Sequence, residues 1–143
     1  MPKLIFVNLP VSDVPRATAF YEAIGATKNP QFSDQTGSCM VVSDTIYVML
    51  LTHDKFRQFT PKPIADPRTS NHVLISISAD SRDEVDDLVG KAVAGGGAAD
   101  PSPIEDYGFM YGRSFEDPDG HCWGVYWMDV EAAVKAHSAT AAA

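Results

Sequence analysis

The chain has 143 residues and a mass of 15.5 kDa, the size of one domain that can bury a core without staples. Hydrophobic residues make up 45% and charged residues 21%, which excludes wholesale disorder. Eleven Lys and Arg against nineteen Asp and Glu give a net charge of −8, which excludes a general electrostatic footprint for nucleic acid or an anionic membrane.

Residues 4–11 are apolar and β-branched and predict a strand, with Pro10 marking its end or an edge. Ser12 and Asp13 supply capping side chains, and Pro15 suits a first helical turn. A helix over 14–24 follows, with Ala17, Phe20, Tyr21 and Ile24 on one apolar face and Gly25 as its stop. Strands are predicted at 27–33, 38–42 and 45–52, separated by turn residues at 34–37 and 43–44. Residues 53–70 read as a linker, with one helical turn at 54–59 before Pro61, Pro63 and Pro67 break regular structure.

The plan then repeats. Residues 72–78 alternate apolar and polar as a half-buried strand does. Asp80 or Ser81 caps a helix over 82–94, with Val85, Leu88, Val89 and Ala92 on its apolar face and Gly95-Gly96-Gly97 ending it. Strands follow at 108–115 and 121–127, with a weaker one within 100–105 and a turn at Asp117-Pro118-Asp119-Gly120. Asp129 caps a final helix over 130–137, and 138–143 read as a frayed tail. Phe6 overlays His72, Gly25 overlays Gly97 and Asp44 overlays Asp119. Each half is too small to bury its own sheet face, so the two copies must pair.

Val11-Ser12-Asp13 leads into Ala19-Phe20-Tyr21, and Phe115-Glu116-Asp117-Pro118-Asp119-Gly120-His121 stands near the end. Together these resemble the vicinal oxygen chelate superfamily of glyoxalase, bleomycin-resistance proteins, fosfomycin-resistance enzymes and extradiol dioxygenases. The resemblance covers about 1–128. The segments Ser43-Asp44-Thr45-Ile46-Tyr47 and Tyr107-Gly108-Phe109-Met110-Tyr111-Gly112-Arg113 look like those of a glyoxalase-like subgroup. The resemblance implies an α+β fold in which two βαβββ modules form a curved, mainly antiparallel sheet cup with helices outside. Module one is 1–52, the linker 53–70 and module two 71–128, with a C-terminal helix and tail over 129–143. It also implies a site inside the cup and a homodimer; whether the modules pair within one chain or across two stays open.

The resemblance further implies a divalent metal (Zn, Ni, Fe or Mn) acting as a Lewis acid, held by one His, Gln or Glu from each of four strands. Carried over one at a time, those positions fall on Phe6, near Met49, on His72 and on Gly124; Asn8 shares the face of Phe6. Only His72 is of a ligand type, and a lone imidazole holds such an ion too weakly. The resemblance therefore implies a degenerate metal site, and no cofactor is expected. In the alternative, the register is misplaced by one residue and the chain is a metal-dependent lyase, isomerase or dioxygenase, or it is a metal-independent enzyme using His72 and Tyr47.

Strand alternation gives a second constellation. If Gly124 faces the cup, Cys122 and Tyr126 share its face. With Phe6, Asn8, Tyr47, Met49, His72, Leu74 and Ser76 they make an apolar, aromatic lining with few polar groups, a composition suited to a small ligand. Packed core is the other reading of the same residues. His72 reads as a residual ligand or general base, or as a strand-start histidine bonded to backbone. His121 reads as a turn residue, and His53 and His137 carry no site. Arg113 suits a ligand oxyanion or a surface acid. Glu105-Asp106-Tyr107 is an acidic loop read as a lid or as solvated, and Cys122 reads as a small core residue. Glycine within a strand, as at Gly124, marks a bulge or a close approach by ligand or backbone. Two cysteines, no apolar run of 18 residues and no secretory pattern after Met1-Pro2-Lys3 predict a cytoplasmic protein with free thiols. The expected partner is a small-molecule ligand, with neither nucleic acid nor membrane.

Overall fold

Each half of the chain follows a βαβββ plan, with the strand after the helix split into two short pieces in the second half. The computed structural model describes residues 2–142. Module one comprises β1 (Ile5–Pro10), α1 (Val14–Ala23), β2 (Thr27–Asp34), β3 (Gly37–Val41) and β4 (Ile46–Leu51), and α2 (His53–Arg57) opens the linker. Module two comprises β5 (Ile75–Ser78), α3 (Arg82–Ala94), β6 (Ala98–Ala99), β7 (Glu105–Asp106), β8 (Met110–Glu116) and β9 (Cys122–Met128), followed by α4 (Val130–Ala142). Short acceptors start α1 and α3: the Asp13 carboxylate accepts the Arg16 N–H at 3.0 Å, and the Ser81 hydroxyl accepts the Glu84 N–H at 3.0 Å.

The strands form two sheets. In the first the order is β1-β4-β3-β2, with β1 parallel to β4 and the rest antiparallel. In the second, β5 runs parallel to β9, β8 follows antiparallel, and both β6 and β7 pair with β8. Alternation sends Leu9, Val48 and Leu50 of the first sheet, and Phe115, Trp123 and Val125 of the second, into one shared core. Phe20 and Tyr21 of α1 and Val85, Val89 and Ala92 of α3 fill it. Phe20 lies 6.1 Å from Phe115, and Tyr21 lies 6.0 Å from Trp123, centroid to centroid. The helix-facing sides of both sheets are thus committed to each other, and the opposite side of each sheet is left open.

A buried polar network ties the modules at the turn after β8. Asp117, 3% exposed, accepts the Tyr21 O–H at 2.6 Å and the Asp119 and His121 N–H groups at 3.0 and 2.8 Å. The Trp123 indole N–H donates to the Tyr21 oxygen at 3.0 Å. Asp119 accepts from the Ser12 N–H and O–H at 2.9 and 2.8 Å, and a His121 ring nitrogen lies 2.7 Å from the Pro10 carbonyl. Burial raises both the Asp117 carboxyl and the Tyr21 phenol from their ordinary values.

Three boundaries differ from the sequence expectation. β5 begins at Ile75 rather than His72, because its partner β9 begins only at Cys122 and residues opposite 71–73 belong to the turn. The expected strand within 100–105 is two short pieces, since Pro101 and Pro103 cannot donate to a ladder and Asp100 takes a left-handed φ of 52°. α4 runs to Ala142 rather than to 137, over an alanine-rich stretch that favours helix; residue 143 of the expected tail lies outside the described residues. No helix among the described residues is long and apolar enough to cross a membrane.

Tyr21→Phe tests the inter-module network. It leaves the Asp117 carboxylate and the Trp123 N–H without their partner in the core, and should cost about 1–3 kcal/mol in urea unfolding. An unchanged midpoint would show that the phenol does not tie the modules.

Candidate functional site

On the first sheet, the side chains that do not enter the core stand on the open face. Register pairs Phe6 with Tyr47, and both Asn8 and Cys39 with Met49. The Phe6 and Tyr47 rings stack, with centroids 4.9 Å apart and planes 16° apart. Leu4, Asn29 and Phe32 complete a cleft of about 490 Å³ whose lining carries no charged side chain. Phe6 is 51% exposed and Phe32 69%.

The open face of the second sheet is polar. One row across it reads Ser76, Gly124, Ser114, and the next reads Tyr126, Gly112, Glu105. The Tyr126 ring lies over both glycines. A Cβ at Gly112 would overlap the ring, and one at Gly124 would stand 2.6 Å from it and 2.9 Å from the Ser76 hydroxyl. The close approach that Gly124 marks is therefore made by a side chain of its own strand. Burial, and then the Glu105 carboxylate, raise the Tyr126 phenol, which keeps it a neutral hydrogen-bond donor. Ser102 and Pro103 wall the remaining cleft, about 150 Å³ in volume.

The expected lining is thus divided. Phe6, Asn8, Tyr47 and Met49 line the first cleft; Leu74, Ser76, Cys122, Gly124 and Tyr126 line the second; the two clefts share no residue. His72 lies in neither. It stands in the loop before β5, in a cleft of about 360 Å³ under the linker that also takes in Asn8, His121 and Cys122. Counting from the caps Asp13 and Ser81, and from the pairs Asn8–Met49 and Ser76–Gly124, the counterpart of Phe6 is Leu74. The overlay of Phe6 on His72 is corrected by two residues. His72 and Tyr47 are not brought into one cleft.

Other expectations resolve individually. The Arg113 guanidinium donates to Asp100 at 3.0 and 2.7 Å and to Asp86 at 2.9 Å, so it serves surface acids. Glu105 and Asp106 are a short strand rather than a solvated loop, and Asp106 is paired with Arg82. Cys122 is half-buried on the open face rather than in the core, its thiol raised by burial and then by the Glu116 carboxylate. The sequence reading missed Leu4 and Cys39, which lie on the alternation parity of Phe6 and Met49, and Phe32, which lies where β2 breaks register. It also missed Gly112, whose signal is its place directly across from Tyr126.

The donor set does not fit the divalent metal that the resemblance implies. Phe6 is stacked on Tyr47, Met49 offers only a thioether, and His72 is in a loop. The volume a Gly124 side chain would use is filled by Tyr126 and Ser76. Among the described residues no group of three or more His, Cys, Asp or Glu is gathered.

Residues 3–125 match the family model described as the Glyoxalase/Bleomycin resistance protein/Dioxygenase superfamily. No curated protein matches the chain. Among solved structures it is similar to the hypothetical protein SA1046 from S. aureus, at 29% identity and a TM-score of 0.72, covering 89% of this chain and 95% of that one. It is similar in fold to a glyoxalase/bleomycin resistance protein/dioxygenase family enzyme from Burkholderia phytofirmans PsJN, at 20% identity and a TM-score of 0.71, covering 89% and 99%. It shares its fold with the genomically encoded fosfomycin resistance protein FosX from Listeria monocytogenes, at 19% identity and a TM-score of 0.66, covering 92% and 97%.

Gly112→Ala tests the seating of Tyr126. The added methyl should cost about 1–3 kcal/mol by overpacking, and most of that loss should vanish in a Tyr126→Ser background. Equal losses in both backgrounds, read by urea unfolding, would show that the ring does not depend on the glycine.

Proposed function

The chain belongs to the Glyoxalase/Bleomycin resistance protein/Dioxygenase superfamily, and on that premise we propose that it binds a small molecule in a cup closed by two copies of itself, without a divalent metal. The observation that carries this reading is the pair of open sheet faces. Each is concave enough to form a cleft, and the first exposes stacked aromatic rings to water. Exposed apolar surface of this kind marks a ligand groove or an interface. One chain brings the two faces together only under the linker, where Asn8 and Cys122 line one cleft, and leaves the aromatic cleft and the Tyr126 cleft apart, because their helix sides share the core. A second copy supplies the missing wall: the first sheet of one protomer faces the second sheet of its partner, and the reverse. The family members that bind or transform small molecules supply the precedent. The free thiols Cys39 and Cys122 suit the reducing cytoplasm.

The absence of a metal follows in this reading from the donors and not from an empty site. With Phe6, Met49 and Gly124 at three ligand positions, no octahedral or tetrahedral set is available. The chain binds through shape, aromatic contact and hydroxyl groups.

Sedimentation equilibrium and thermal unfolding test both parts. The protein should sediment as a dimer, and Phe6→Asp should weaken dimerisation by at least about tenfold by placing a charge on the apolar wall. Micromolar Zn²⁺, Ni²⁺, Fe²⁺ or Mn²⁺ should leave Tm unchanged. A monomer at all concentrations sinks the shared cup. A rise of several degrees that disappears in His72→Ala sinks the metal-free reading.

A further inference from the structure

Resting on the cup just described, the chemistry of its two walls names a ligand class. We propose that the cup takes a small organic cation, a protonated or quaternary amine carried on an apolar or aromatic body, and that Glu105 sets this choice of charge.

The first wall offers π faces and no charge. Phe6 and Tyr47 stack at 4.9 Å, Phe32 stands exposed beside them, and none of the residues lining that cleft is ionisable at neutral pH. Each ring of the stacked pair covers one face of the other and keeps its outer face free; that face is the negative side of the ring quadrupole, so a cation seated there is attracted and an anion gains nothing. Asn8 and Asn29 at its edge supply amide carbonyls, which accept from ammonium N–H groups.

The second wall selects the same sign. Glu105 lies in one row with Gly112 and Tyr126 and has no ion-pair partner among the described residues. The only cation lining this cleft is Arg113, and its guanidinium is already spent on Asp100 and Asp86. A ligand carboxylate or phosphate would be desolvated against Glu105 with no guanidinium free to receive it, which disfavours an anion in a closed site. A ligand ammonium meets the opposite situation. Glu105 faces it as a counter-charge, and where the amine is protonated rather than quaternary, Glu105 and the hydroxyl oxygen of Ser76 also accept from its N–H groups. The net charge of −8 raises the local concentration of cations in the same direction.

Both walls are small: the clefts measure about 490 and 150 Å³. Flat aromatic surface faces one side of the ligand and a carboxylate with hydroxyls faces the other. An amine on a compact aromatic body satisfies both at once. A neutral aromatic satisfies the first wall alone, and an aromatic acid is repelled by the second.

Three probes of the same body and different charge test this by isothermal titration of the intact protein: benzyltrimethylammonium, benzyl alcohol and phenylacetate. Amide resonances at Phe6, Tyr47, Gly124 and Tyr126 report whether binding is on the walls. The cation should bind at least about tenfold tighter than the acid, the size of one partly desolvated cation–π contact, with the alcohol between them. Glu105→Gln should reduce that ratio to about threefold or less, whereas Glu22→Gln, on the exposed side of α1, should leave it unchanged. If all three probes perturb both walls but the acid binds as tightly as the cation, or if Glu105→Gln leaves the ratio untouched, the ligand class is wrong and the cup stands. If none of the probes perturbs either wall, both the class and the cup are wrong.

Discussion

The buried carboxylate of Asp117 is the constraint from which the rest of the molecule follows. A carboxylate removed from water demands donors, and here they come from Tyr21 and from the backbone of its own turn. Tyr21 belongs to the first module and Asp117 to the second, so satisfying one polar group fixes how two sheets sit against one another. Trp123 then donates to the same phenol, and its ring parallels Phe115 at 6.3 Å, which closes the apolar core around the polar pair. Once the helix sides are joined in this way, each sheet has one face that its own chain covers only in part, with the linker beside Asn8 and Cys122 and with Ser102 and Pro103 walling the cleft at Tyr126. The open faces exist because the helix-facing sides have been used up.

The glycines of the second open face are explained by packing within that face. On the second open face, Gly112 and Gly124 leave a shallow trough, and the Tyr126 ring lies in it. An aromatic ring laid over glycines restores packing to a strand that glycine weakens. A side chain at Gly124 long enough to reach a metal would compete with that ring for the same volume. The face that results carries the Tyr126 ring over two glycines, with the Ser76 hydroxyl beside it.

Much of this was legible in the chain. Alternation within 121–127 placed Cys122, Gly124 and Tyr126 on one face, and the same parity placed Phe6 with Asn8 and Tyr47 with Met49; the registers agree. Helices α1 and α3 began at their capping residues, as Asp13 and Ser81 required. Period-two patterning does not reveal which sheet a face belongs to, and so one expected lining became two clefts. His72 escaped for a different reason. Residues 72–78 alternate well enough to be a strand, but a strand needs a partner, and the partner positions are occupied by the turn that Asp117 organises. Long-range pairing decided that boundary, and local sequence carries no trace of it. Phe32 was missed because β2 breaks register between Asn29 and Asp34, so its exposure follows from an irregularity rather than from alternation.

The unlike character of the two faces constrains how copies assemble. Pairing the first sheet with its own equivalent would bury Phe6 and Tyr47 against themselves and leave the hydroxyl face in water, with no polar group near an apolar ligand. Pairing the first sheet with the second of another copy gives each cup one aromatic and one polar wall. A single contact of that kind is head-to-tail and propagates into a filament. Because one chain carries both faces, a two-fold axis lets the same two protomers make the contact twice, which closes the assembly at two copies and uses both faces of each. The dimer proposed above would then have two equivalent cups, each with Phe6 from one protomer and Tyr126 from the other, and no single chain would hold a complete site. Dimerisation and ligand binding are linked in this arrangement: a ligand held between the walls stabilises the pair, and any change that separates the protomers removes both sites together.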